Sequence, residues 1–134
     1  MRKASLLVSG FLLAAAVPAH ASGALMCDSL DKKASISVGM GHLPVVGVLG
    51  IDIEANGKRW STTKGKDVIP IANGQAFGSD EQFYFDITDD NIEGVIAKLR
   101  VLFGRAEDVE AEPVFAGYLS IKGEGVWPVI CSTE

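Results

Sequence analysis

Carboxylates form the densest group of chemically competent side chains, near the middle of the chain: Asp86, Asp89, Asp90 and Glu93. Oxygen atoms on a loop between strands can hold Ca²⁺, which takes about six to eight of them. The spacing differs from the D-x-[DN]-x-[DN]-G calcium loop with its distal glutamate. Solvated turn residues or a helix cap are therefore the favoured interpretation, and a calcium site at these four residues is kept as the alternative.

A second acidic run contains Glu107, Asp108, Glu110 and Glu112. Two carboxylates drawn from the two runs would provide the acid and the base of a small carboxylate-dependent hydrolase. Nothing in the spacing fixes the distance between them. A solvated loop is the default prediction for this run.

Only one residue is available for catalysis by histidine, because His42 is the only histidine after residue 20. A serine or cysteine nucleophile needs a histidine base in the common arrangements. One histidine and two cysteines also cannot complete the usual ligand set of zinc. We therefore predict no catalytic residue and no cofactor.

The first 21 residues have the features of a secretory signal peptide. Arg2 and Lys3 precede an apolar run over residues 6–17, and Ala19-His20-Ala21 has the small residues of a cleavage site. The run is shorter than the roughly twenty residues that a spanning helix needs, which predicts no stable membrane insertion. We expect cleavage after Ala21 and a single β-rich domain over residues 22–134.

Two cysteines, Cys27 and Cys131, lie near opposite ends of that domain. In an exported chain, two cysteines are more often paired than free. The sequence thus predicts a disulfide that joins the two ends, and a protein that is periplasmic or secreted.

The predicted mature chain carries 10 basic and 17 acidic residues, a net charge near −7. Nucleic acid and anionic membranes would be repelled by this charge, so neither is expected as a partner. A cationic protein is the favoured partner.

The most informative local pattern is a β-hairpin centred on Asn56-Gly57. Both residues accept the positive φ angles of a two-residue type I′ turn. Such a turn sets three cross-strand pairs: Ala55 with Lys58, Glu54 with Arg59, and Ile53 with Trp60. The last pair would be apolar and buried, and Glu54 with Arg59 would form an ion pair on the outer face.

Other segments alternate in the same way and are predicted to be strands: 34–39, 45–48, 68–71, 82–88, 114–122 and 125–132. Asn73-Gly74 is a possible further turn, and Gly123-Glu124 fits a type II′ turn. Short strands separated by turns indicate an all-β domain, a single antiparallel sandwich or barrel closed by the terminal disulfide.

One segment, residues 91–103, fits two structures. Apolar residues recur at helical spacing after a possible capping box that begins at Asp90, which would make the fold α+β. Gly94 and several β-branched residues favour a strand instead, with Ala97, Leu99 and Val101 on one face. The surrounding strands make the strand the preferred interpretation.

Residues 56–65, with the sequence NGKRWSTTKG, resemble the S-G-x-x-Y-x-x-x-T-K-G motif of the bacterial periplasmic inhibitors of c-type lysozyme. Asparagine replaces the serine, Trp60 replaces the tyrosine, and one spacer residue is missing before Thr63-Lys64-Gly65. The resemblance implies a small β-barrel that inserts a loop into the lysozyme cleft, with Thr63, Lys64, Gly65 and Trp60 at the contact.

The function predicted from these features is a non-enzymatic periplasmic or secreted binding protein, an inhibitor that docks on a cationic protein such as lysozyme. The alternative is a small carboxylate-dependent hydrolase or a calcium-binding envelope module.

Overall fold

Alternating apolar and polar residues form strands along most of the chain. A computed structural model describes residues 22–41, 45–107 and 110–134, so the predicted signal peptide, His42 and Asp108 lie outside the described residues. Nine strands occur in the described part: β1 (Gly23–Ser29), β2 (Ala34–Gly41), β3 (Gly47–Ala55), β4 (Lys58–Ser61), β5 (Ile69–Gly78), β6 (Gln82–Asp89), β7 (Val95–Gly104), β8 (Val114–Ile121) and β9 (Gly125–Thr133). Within the same residues, no helix is long and apolar enough to cross a membrane.

Each strand pairs with the next along the chain, and β9 returns to β1 to close a barrel. The prediction of an all-β fold is confirmed, and of its two forms the barrel is the correct one. Pairing is antiparallel throughout, except that β4 and β5 run parallel over two register pairs, Trp60 with Ile69 and Ser61 with Pro70. This single parallel contact shapes the candidate site described below.

The β3–β4 hairpin has the predicted turn and register. Asn56 and Gly57 have φ angles of 50° and 73°, and Ile53 lies opposite Trp60 with both side chains buried. The turn and its first three pairs involve residues close in sequence, so the local sequence determines the structure of this hairpin.

The predicted ion pair on the outer face of this hairpin is wrong in its acidic partner. Glu54 lies opposite Arg59, but the guanidinium contacts Oδ1 of Asp52 at 2.9 Å. Asp52 is the diagonal neighbour, and a long arginine side chain reaches that position in an antiparallel pair.

Residues 95–104 form strand β7, so the helix considered for residues 91–103 is wrong. Ala97, Leu99 and Val101 are buried on the inner face, as the strand interpretation predicted. Strands β6 and β8 pair with β7 along its two edges, and this pairing overrides the helical spacing. The apparent capping box is a turn, in which Oδ1 of Asp89 accepts a hydrogen bond from the backbone N–H of Glu93 at 2.9 Å.

Two predicted turns differ from the structure. Asn73-Gly74 lies within β5 at a bulge, because the register with β6 shifts between Asn73 and Gln75. Between β8 and β9 the connection is Lys122–Glu124, one residue longer than predicted, and the N–H of Glu124 donates to the carbonyl of Ile121 at 3.0 Å. Gly123 has a φ of 78°, which suits the third position of a four-residue turn rather than the second.

The predicted disulfide is confirmed: Cys27 and Cys131 are bonded and are direct register partners in β1 and β9. Their Cα atoms are 4.0 Å apart, and both side chains are buried. The covalent link therefore lies at the seam where the first and last strands close the barrel. The largest fully buried apolar side chains around the interior are Phe85, Leu25, Ile51, Ile53, Ile87, Leu99 and Leu119.

Candidate functional site

The connection from β4 to β5, residues 62–68, is here called the 62–68 loop. Because Trp60 pairs in parallel with Ile69, the chain leaves the end of β4 and returns to the level of Trp60 before β5 begins. Parallel neighbours are usually joined by about a dozen residues or more, often a helix. Seven residues make the reversal here, and Asp67 adopts a left-handed φ of 56° within it.

Side-chain hydroxyls fix the start of the 62–68 loop. Ser61, which is only 2% exposed, accepts a hydrogen bond on Oγ from the N–H of Thr63 at 3.0 Å. Oγ1 of Thr62 accepts from the N–H of Ile51 at 3.0 Å, and the N–H of Thr62 donates to the carbonyl of Ile51 at 3.0 Å. The entry to the loop is thus held by three hydrogen bonds, and its exit is held by the pairing of Ile69 and Pro70 in the sheet.

The tip of the loop faces solvent. Thr63, Lys64 and Gly65 are all exposed, as is Lys66. Trp60, which the sequence placed at the contact, is 5% exposed and packs in the barrel core beside Ile53. Trp60 therefore presents almost no surface to solvent and packs beneath the strand from which the loop departs.

The four carboxylates considered for calcium do not form a metal-binding group. Asp86 lies on the outer wall, where Oδ1 contacts the guanidinium of Arg100 at 2.5 Å. Asp89 caps the turn that precedes β7, and Asp90 and Glu93 are exposed on that turn. Across residues 22–41, 45–107 and 110–134, no three His, Cys, Asp or Glu side chains come together as a metal site would require.

Among the residues that the structure describes, the pKa values of two carboxyl groups depart from their ordinary values, and both groups lie at turns. The hydroxyl of Ser29 and the backbone N–H of Lys33 lower the pKa of Asp31. The ammonium of Lys58 and the amide of Asn56 lower the pKa of Glu124. A general acid at neutral pH needs a raised pKa, so neither group is suited to that role.

The contact between Glu124 and the first hairpin is a feature that sequence reasoning missed. Asn56 Nδ2 donates to the carbonyl and to Oε2 of Glu124, at 3.3 and 3.2 Å, and Lys58 forms a salt bridge to Oε1. These residues are about 66 to 68 positions apart in the chain, so no local pattern signals the contact. The contact ties the β8–β9 turn to the β3–β4 turn at one end of the barrel.

Comparison with known protein families, curated proteins and solved structures finds no match for this chain. The resemblance to the lysozyme inhibitors therefore rests on residues 56–65 alone.

Proposed function

We propose that this chain is an exported, non-enzymatic binding protein of the periplasm or the extracellular space. It docks on a cationic protein of the lysozyme type through the tip of the 62–68 loop, with Thr63, Lys64 and Gly65 at the contact. The observation that carries the proposal is the combination of a fixed base and an exposed tip in one short loop.

Fixation of the base matters because binding normally costs the conformational freedom of the segment that becomes ordered. The hydrogen bond that Thr62 accepts from Ile51, the one that Thr63 donates to Ser61, and the pairing of Ile69 already restrict this loop in the free protein. A loop that is ordered before it binds retains more of its contact energy as affinity. Inhibitory loops inserted into an enzyme cleft benefit from this property.

Charge supports the choice of partner at two distances. At long range, the net charge near −7 of the predicted mature chain attracts a basic protein and speeds encounter, more than it raises final affinity. At short range, Lys64 and Lys66 place two ammonium groups on the loop itself. Glycosidase clefts contain a pair of catalytic carboxylates, which an inserted lysine would contact.

A turbidity assay of bacterial cell-wall lysis by c-type lysozyme tests the proposal. We expect wild-type protein at micromolar concentration to slow lysis, and Lys64→Glu to lose at least tenfold in potency because it places like charge in the cleft. Lys122→Glu is the matched control, since Lys122 is an exposed lysine on the β8–β9 turn, and it should inhibit like the wild type.

Absence of inhibition by the wild type would remove lysozyme as the partner. Equal loss of potency in Lys64→Glu and Lys122→Glu would show that the net charge of the protein, rather than a contact made by the loop, determines inhibition. Full inhibition by Lys64→Glu would support lysozyme as the partner but exclude the proposed contact at Lys64.

A further inference from the structure

A cavity of about 650 Å³ opens at the end of the barrel, and its apolar lining consists of Pro113 and the rings of Phe83, Phe103 and Phe115. Phe103 and Phe115 are direct register partners in β7 and β8, and their rings meet edge to face with centroids 4.6 Å apart. Phe83, from β6, meets Phe103 in the same way at 4.9 Å. The three rings thus form one continuous aromatic surface.

These rings lie on the inward face of their strands and are only partly covered. Phe85 and Val101, the next inward residues along β6 and β7, are completely buried, whereas all three rings of the lining are half-buried. A ligand that covered the rings would therefore remove further apolar surface from water. The cavity volume is within the range of about 300 to 1,000 Å³ that is typical of small-molecule sites.

Backbone hydrogen bonds hold one side of the opening in place. The N–H of Phe103 donates to the carbonyl of Glu81 at 2.8 Å, which ties β7 to the turn between β5 and β6. Within that turn, the N–H of Ser79 donates to the carbonyl of Gln82 at 2.9 Å, and the N–H of Glu81 donates to Oγ of Ser79 at 3.2 Å. Ser79 and Asp80, which both line the cavity, thus belong to a segment that is ordered before a ligand binds.

Two charged side chains, Asp80 and Arg105, belong to the lining, and their charges are opposite. A ligand with a single charge would be attracted by one of them and repelled by the other. It would also lose part of its hydration when it enters an aromatic cavity. An uncharged head group avoids both costs, because it can donate a hydrogen bond to the carboxylate and accept one from the guanidinium.

We infer that this cavity binds an uncharged aromatic molecule whose polar head both donates and accepts hydrogen bonds, as a primary amide does. The aromatic body contacts the three phenylalanine rings, for which edge-to-face and offset-stacked contacts are favourable. The head lies at the rim with Asp80 and Arg105. None of the lining residues belongs to the 62–68 loop, so binding here is independent of the docking proposed above.

Three ligands with the same body and different heads test the inference: 3-phenylpropionamide, 3-phenylpropylamine and 3-phenylpropionate. Binding is followed by amide chemical shifts of the full domain labelled with ¹⁵N. We expect saturable binding of the amide with a dissociation constant between about 10 µM and 1 mM, as is usual for a ligand of about eleven heavy atoms. The ammonium and the carboxylate ligand should each bind at least threefold more weakly.

Variants of the aromatic rings locate the body of the ligand. Phe103→Ala should weaken binding of the amide at least tenfold, whereas Phe77→Ala, which removes an exposed ring from the outer wall, should leave it unchanged. The chemical shift changes in the wild type should be largest for the amides of Phe83, Phe103 and Phe115.

Variants of the rim locate the head, and they keep the lining rings intact. Asp80→Asn leaves the guanidinium without the opposing charge, so it should strengthen binding of the carboxylate ligand at least threefold. Arg105→Gln should strengthen binding of the ammonium ligand by a similar factor. Both residues are exposed, so neither change should affect folding. Glu54→Gln is the matched control, because it changes the net charge as Asp80→Asn does but lies on β3, outside the lining.

The inference is overturned if the amide gives no saturable shifts up to about 10 mM, a concentration well above the expected range. It is also overturned if either charged ligand binds the wild type as tightly as the amide, or if Phe77→Ala abolishes binding and Phe103→Ala does not. An equal effect of Asp80→Asn and Glu54→Gln on the carboxylate ligand would likewise contradict the position of the head at the rim.

Discussion

Oγ1 of Thr62 accepts a hydrogen bond from the backbone N–H of Ile51 at 3.0 Å. Ile51 is fully buried in β3, so this bond joins the first residue of the 62–68 loop to the wall of the barrel. The same hydroxyl type at Ser61 holds the next residue of the loop. Conformational restraint of the exposed tip thus depends on the side chains of Ser61 and Thr62, which precede the tip.

Thr62→Val is therefore expected to weaken inhibition severalfold without altering the chemistry of the tip. Valine has the same shape but leaves the N–H of Ile51 without its acceptor, a loss of about 1 to 3 kcal/mol in folding stability. Denaturant unfolding and the lysis assay measure the two effects. Thr62→Ser keeps the acceptor and should restore both, and a Val variant that inhibits like the wild type would show that anchoring is unimportant.

Reduction of the Cys27–Cys131 disulfide should lower the melting temperature by well over 10 °C. The bond closes a loop with a sequence separation of 104 residues, for which chain entropy gives roughly 4 to 5 kcal/mol. Calorimetry with and without reductant measures the change, and thiol titration of native protein should give no signal. A drop of only a few degrees would mean that the β1–β9 pairing holds the seam without the bond.

Gly117→Ala should strongly destabilise the fold. A Cβ atom at Gly117 would be 1.7 Å from the carbonyl oxygen of Arg100 in the neighbouring strand β7, a separation that forces the two backbones apart. We expect a loss of about 3 kcal/mol or more, the size of an overpacked core substitution at its upper end. Gly104→Ala is the control, because its nearest atom would be 3.9 Å away, and equal stability of the two variants would contradict the close approach.

Acid should weaken the contact between the two turns at Glu124. Hydrogen bonds from Lys58 and Asn56 lower the pKa of this carboxyl below its ordinary value of 4.5, so the contact stabilises the fold above that pH and is lost as pH falls through the lowered pKa. The carboxyl resonance of Glu124 should titrate below 4.5, and Lys58→Met should move it upward. Titration at or above 4.5 in the wild type would show that the salt bridge does not persist in solution.

Local chemistry made the β3–β4 hairpin predictable from sequence, because the turn residues and the pair of Ile53 with Trp60 lie within eight positions. The disulfide followed from composition and the predicted compartment. By contrast, residues 91–103 fitted two structures, since helical spacing and β-branching disagreed. Only the neighbouring strands β6 and β8 decide between them.

The sequence identified the residues of the candidate site but not the conformation of the loop that carries them. Thr63-Lys64-Gly65 stood out by resemblance, yet the parallel pairing of Trp60 with Ile69 that shapes the loop depends on contacts with the rest of the barrel. The hairpin register with Ile53 buries Trp60, as the alternating residue pattern predicted and in contrast to the contact role that the resemblance implied. The aromatic lining of the barrel end likewise joins residues from three strands.

Amide chemical shift mapping on the ¹⁵N-labelled protein, titrated with unlabelled c-type lysozyme, tests the proposed contact most directly. We predict that the largest changes occur at Thr63, Lys64 and Gly65, with the remainder of the barrel nearly unaffected. Changes confined to the outer wall around Phe77 and Tyr84, or no changes at all with lysozyme in excess, would contradict the assignment of the 62–68 loop as the binding site.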